Sequence, residues 1–180
     1  VTASTPTPPA PGLARFNAMD EDAARAVLRG ICASGAWAEH LLGRRPYAGP
    51  EALYAANDAA TAALTAAGLA EAMAGHPPIG RPEPGDPVSA REQRGMAGAP
   101  EALRAEMLEL NLAYQERFGH VFLICATGRT AEEMRDAARA RLGNTPEAER
   151  EAVRTELGRI NRIRLARLVE EGPPEEDARP

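Results

Sequence analysis

Near the end of the chain, Val153, Leu157, Ile160 and Leu168 fall on one stripe when projected at 100° per residue, the mark of a helix with a buried face. Arg164 lies at the centre of that stripe, Arg167 near its edge, and Arg159 and Arg162 outside it. Thr145-Pro146 opens this helix, with proline at the first helical position, and the pattern carries it to about residue 171. Upstream, the pattern predicts helices near 20–30, 34–43, 50–73, 100–117 and 130–142, and a short one starting at Ser89. Thr130 and Glu133 have capping-box spacing, and Gly143-Asn144 ends the helix they open. The 50–73 helix stops at Gly75-His76-Pro77, because proline turns its predecessor away from helical geometry.

Two stretches break the helical period. Residues 81–87, RPEPGDP, read as a loop. FGHVFLICATG, 118–128, gathers apolar residues in a run between glycines, which fits a short strand or a buried extended segment. The ends have no period: residues 1–12 are rich in Pro, Thr and Ala, and 172–180 repeat Pro and Glu. Both read as disordered tails around a helical domain at 13–171.

Composition supports an all-α, single-domain multi-helix bundle. The chain has 180 residues, 44% hydrophobic but only 4% aromatic, so its core is built from Ala, Leu, Ile and Val. The net charge of −5 and the lack of a basic run argue against nucleic acid as partner. No apolar run is long enough for a membrane span and no leader pattern stands at the start, so the chain reads as cytoplasmic. Cys32 and Cys125 lie on apolar segments and read as buried thiols. With His40, His76 and His120 scattered, no metal-ligand spacing emerges. All 21 cationic side chains are arginine, which excludes a lysine Schiff base, and no phosphate loop or dinucleotide fingerprint is present.

Three features carry candidate chemistry, each with a plainer reading beside it. Ser89 and Glu92 have the spacing of a capping box, but the same helix start, with Gln93 next to it, suits an anionic or carbonyl-rich ligand. His76, at a helix C-terminus, is either a cap or an imidazole pre-positioned by Pro77 and Pro78 for proton transfer. Arg164, on a core-facing row, needs a partner, either a structural ion pair or a bound carboxylate or carbonyl.

Taken in order, GHPPIG, SAREQRGM, LNLAYQERFGHVFLICATGRT and ELGRINRIRLARL resemble the successive motifs of OHCU decarboxylases, which act on 2-oxo-4-hydroxy-4-carboxy-5-ureidoimidazoline in the oxidation of urate to allantoin. FN at 16 and CASGAWAEHLLGRRPY resemble the first helices of that family, so the likeness runs from about 13 to 171. It implies a small all-α bundle, a homodimer without cofactor or metal, that decarboxylates this small molecule to (S)-allantoin. The acid/base histidine of the family falls on His76 and its carboxylate on Glu92. Substrate-binding positions fall on Pro77, Ser89, Gln93, the segment Val121, Phe122, Leu123, Ile124 and Cys125, and Arg164. The sequence departs from the family pattern at Pro78, Ile79 and Arg94, and His120 takes no role from it. Two other readings use the same residues: a helical dimerisation module in which His-Pro and Ser-x-x-Glu are caps, and a pocket that only senses a purine breakdown product.

Overall fold

Proline at a helix's first turn costs no hydrogen bond, because the N–H it removes has no acceptor there. This accounts for a helix whose first two residues fall in the expected tail. The computed structural model describes residues 10–173, and in it α1 (Pro11–Ala18) already buries Gly12, Leu13 and Phe16. Of the expected tail 1–12, residues 11 and 12 are therefore helical, and 1–9 lie outside the described residues. Gly12 is required where it stands: a Cβ would come within 2.4 Å of the Leu168 carbonyl oxygen. At the other end Gly172 (φ 85°) closes the last helix by donating to the Leu168 carbonyl, while 174–180 lie outside the described residues.

The described residues form two compact units, and among them there is no β-strand, so the all-α expectation holds. The first unit runs to Leu64 and resumes at Asn161. After α1 it contains α2 (Glu21–Ile31), α3 (Gly35–Leu42) and α4 (Pro50–Ala62), with α2 packed on α3 and α3 on α4. Asp20 and Ser34 cap α2 and α3 by accepting from Ala23 and Trp37 N–H groups. The fully buried Trp37 donates its indole N–H to Asn57 Oδ1 at 3.1 Å, so the largest core side chain leaves no polar atom unpaired.

The second unit spans Thr65–Ile160. The single helix expected over 50–73 is two helices, because Thr65 caps a new one, α5 (Ala66–Ala74), by accepting from Gly68 N–H at 3.1 Å. Next come α6 (Pro87–Glu92), a 3-10 turn at Arg94–Met96, α7 (Glu101–Phe118) and α8 (Ala131–Arg141). Thr130 and Glu133 form the capping box that their spacing predicts. The final helix, α9 (Pro146–Glu171), contributes its residues through 160 to this unit and the rest to the first. The core gathers Met96, Leu103, Met107, Tyr114, Phe122, Ile124 and Met134, with Tyr114 in ring contact with Phe118 and Phe122.

A charge lies beside that core. Glu149 is fully buried and accepts from Arg141 Nε at 2.9 Å, from Asn144 Nδ2 at 2.8 Å, and from the Tyr114 hydroxyl. Burial alone would raise its carboxyl, yet the hydrogen bonds from Arg141, Tyr114 and Asn144 hold it below the usual carboxylate value.

Candidate functional site

His76 lies two residues beyond α5, its N–H donated to the Met73 carbonyl. Pro77 and Pro78 bring no N–H, so this loop is held mainly through its carbonyls. Two buried amide side chains do this. Gln93 Nε2 donates to the Pro78 carbonyl at 3.2 Å, and its Oε1 accepts from Gly80 N–H at 2.8 Å. Asn111, from α7, donates to the Ile79 carbonyl at 2.8 Å. The Ile79 side chain is buried in the core, and Gly80 (φ 83°) supplies the left-handed turn that follows. Pro78 and Ile79, the departures from the family pattern, are thus the anchored part of the loop, while His76 and Pro77 remain half-buried.

The α6 start differs from the expected capping box. Its N-cap is Asp86, whose carboxylate accepts from Val88 N–H and Ser89 N–H, with Pro87 in the first turn. Ser89 is one turn too late to cap. It is buried, and its hydroxyl accepts from Glu83 N–H and donates to the Asp86 carbonyl. The signal was in the sequence: Asp-Pro before the first helical residues is the stronger start. Freed from capping, Glu92 ends α6 as a half-buried carboxylate, one residue before the loop-holding Gln93.

Residues 121–125 form neither helix nor strand. Side chains replace the missing strand: Arg141 Nη1 donates to the Leu123 carbonyl at 2.7 Å, and Arg129 Nε donates to the Cys125 carbonyl at 3.0 Å. Glu156 Oε2 accepts from Cys125 N–H at 2.8 Å. Phe122 and Ile124 point into the core, and Leu123 is also buried. Among the described residues no hydrogen bond engages the N–H of Leu123 or Ile124. Burial, then the charge of Glu156, pushes the Cys125 thiol up, and Glu92 adds to the shift.

The structure brings His76, Pro77, Ser89, Glu92, Gln93 and Val121–Cys125 into the second unit. Arg164 lies in the first, where it is half-buried and donates to the Ile31 carbonyl at 2.8 Å, an acceptor at the C-terminal end of α2. The other residues of its stripe, Val153, Leu157, Ile160 and Leu168, are buried as projected. Cys32 and Cys125 are buried free thiols. Among the described residues no cluster of His, Cys, Asp and Glu is grouped to hold a metal, and no helix is long and apolar enough to cross a membrane. A cleft of about 400 Å³ lined by Met73, Arg117, His120, Pro146 and Arg150 contains none of the expected site residues. Sequence reading missed Asn111, Glu149 and Glu156. All three sit at three- or four-residue intervals from core residues of α7 and α9, the criterion that singled out Arg164.

Residues 17–166 match the family model described as OHCU decarboxylase. The chain is 32% identical over 145 residues to the uric acid degradation bifunctional protein TTL of Arabidopsis thaliana, covering 76% of this chain and 44% of that one. Over 66 residues it is 39% identical to the 2-oxo-4-hydroxy-4-carboxy-5-ureidoimidazoline decarboxylase of Amia calva, 37% of this chain and 38% of that one. It thus spans less than half the length of these curated relatives. An OHCU decarboxylase crystal structure obtained in the presence of (S)-allantoin superposes with a TM-score of 0.70 at 28% identity, over 84% of this chain and 99% of that one.

Proposed function

Because the chain belongs to the OHCU decarboxylase family, we propose that it decarboxylates 2-oxo-4-hydroxy-4-carboxy-5-ureidoimidazoline to (S)-allantoin, with His76 as proton donor and Glu92 as its partner carboxylate. The observation that carries this reading is the His76 loop, tied down by Gln93 and Asn111, in the same unit as Glu92 and the 121–125 segment, whose backbone N–H groups at Leu123 and Ile124 make no hydrogen bond within the described residues.

In the proposed reaction the bond from the ring carbon to its carboxylate breaks and CO2 leaves. The electron pair moves into the adjacent imidazoline system, giving an enolate-like intermediate. The substrate hydroxyl gives up its proton to Glu92 as the carbonyl forms, and Glu92 returns it to the ring nitrogen that took the electron pair. His76 delivers one proton to one face of the neighbouring ureido-bearing carbon and is reprotonated from solvent. Fixed N–H donors of the 121–125 segment stabilise the charge that develops. Gln93 uses one N–H and one oxygen lone pair on the loop, which leaves one of each for substrate. Pro77 and Ser89 shape the pocket wall, and Arg164 is assigned to substrate on the family motif alone. The ring itself accepts the electrons, so the reading needs no cofactor; it also takes the protein to be a cytoplasmic homodimer.

The test is His76→Asn on freshly generated urate oxidation product, following substrate absorbance and the circular dichroism of the allantoin formed. The expected result is loss of enzymatic rate and racemic product from spontaneous decay. An unchanged rate and enantiomeric excess would remove His76 as donor. A module that only senses or dimerises predicts no turnover by the unaltered protein.

A further inference from the structure

We propose that Asn111 is a positioning residue for His76, acting through its hydrogen bond to the Ile79 carbonyl; this rests on the reading of His76 as proton donor. Asn111 occupies the buried row of α7 that also holds Leu103, Met107 and Tyr114, where hydrocarbon is the expected occupant. A buried amide is costly unless its polar atoms are paired. Asn111 pairs only part of its capacity. Its Nδ2 reaches Ile79 at 2.8 Å, while its Oδ1 is buried without a hydrogen-bond partner among the described residues. An unpaired buried acceptor is a poor device for stability, so the donor atom is what the position retains.

What that donor holds is informative. Proline fixes φ at 77 and 78, which makes the stretch between His76 and Ile79 a stiff strut. Fixing the Ile79 carbonyl from α7, together with the two contacts of Gln93, fixes the far end of that strut. The imidazole at its near end is then confined without any bond from Asn111 to the ring. For a proton that must reach one face of a planar intermediate, this confinement sets both rate and stereochemistry.

The experiment compares Asn111→Leu, Asn111→Asp and His76→Asn in the whole chain. Asn111→Leu removes the donor together with the unpaired acceptor, so it is expected to fold. Its kcat should fall about ten- to a hundredfold from misplacement of the donor, with KM changed less than about twofold because substrate contacts remain. Enantiomeric excess should drop, and the His76 ring signals in 1H–15N spectra should broaden. A carboxylate at 111 cannot donate to Ile79 but a carboxyl can, so the ratio of Asn111→Asp to unaltered activity should rise as pH falls. Wild-type kcat, enantiomeric excess and ring signals in folded Asn111→Leu overturn the proposal. Should that variant fail to fold, a pH-independent Asn111→Asp ratio does so instead. If His76→Asn keeps its activity, the donor assignment fails separately, and sharp His76 signals in Asn111→Leu still decide whether Asn111 positions the ring.

Discussion

Replacing Glu149 by Gln tests whether the ionic cluster of the second unit is a structural necessity. The carboxylate is fully buried and receives Arg141, Asn144 and Tyr114 at once, while Arg141 also holds the Leu123 carbonyl. Glutamine keeps the shape but removes the charge, so Arg141, whose side chain is only 12% exposed, loses its counter-ion. Its new amide also meets a donor at Asn144 or Arg141, whichever way it is turned. Breaking a buried pair on one side costs about 3–5 kcal/mol. The retained acceptor puts this variant near the lower end, roughly a 6–12 °C fall in Tm for a chain of this size.

The pH dependence gives the sharper readout. The folded-state pKa of Glu149 lies below its ordinary value of 4.5, so in acid the unfolded chain binds the extra proton. Its stabilisation is fully present above about pH 4.5 and is lost as pH falls through the lower folded value. Urea unfolding of both proteins from neutral pH downwards should show the gap between them narrowing below that point. A gap that is constant with pH, or a variant melting within about 2 °C of the unaltered protein, refutes the argument that the charge itself is stabilised here.

Two further predictions follow from the backbone. Gly95→Ala would bring a Cβ within 2.1 Å of the Arg129 carbonyl oxygen, so forced movement should cost about 1–3 kcal/mol, read as a lowered Tm. Asp86→Ala removes both side-chain bonds at the start of α6 and should cost about 1 kcal/mol, read as a lowered Tm.

The sequence pattern predicted helices where a residue acts on its own neighbours. Thr130 caps with Glu133, Pro77 ends the helix before it, and the α9 stripe is buried as projected. It failed where two local signals competed. Thr65 broke an alanine-rich run that has high propensity throughout, and Asp86 took the capping role from Ser89 because Asp-Pro fits the N-cap and first turn together. Proline-rich text at 6–11 hid α1, since proline marks both disorder and a helix start. At the candidate site, the motif residues were legible as types, but their supports were not. Asn111, Arg141 and Glu156 reach the loop and the segment across 32, 18 and 31 residues, and no local period records such distances.

Those supports explain how an all-α unit can hold backbone still at two non-helical places. A loop with two prolines cannot make a ladder, and a lone non-helical segment has no neighbouring strand to bond. Both problems have the same solution here: side-chain amides, guanidinium groups and a carboxylate from elsewhere in the unit take the places of the absent backbone partners. A ladder would occupy successive N–H and C=O groups along a strand. Side-chain clamps instead engage chosen atoms, the carbonyls of Leu123 and Cys125 and the N–H of Cys125, and leave the N–H groups of Leu123 and Ile124 unengaged among the described residues. The proposed chemistry, which needs fixed N–H donors and one fixed imidazole, is therefore better served by such clamps than by a sheet.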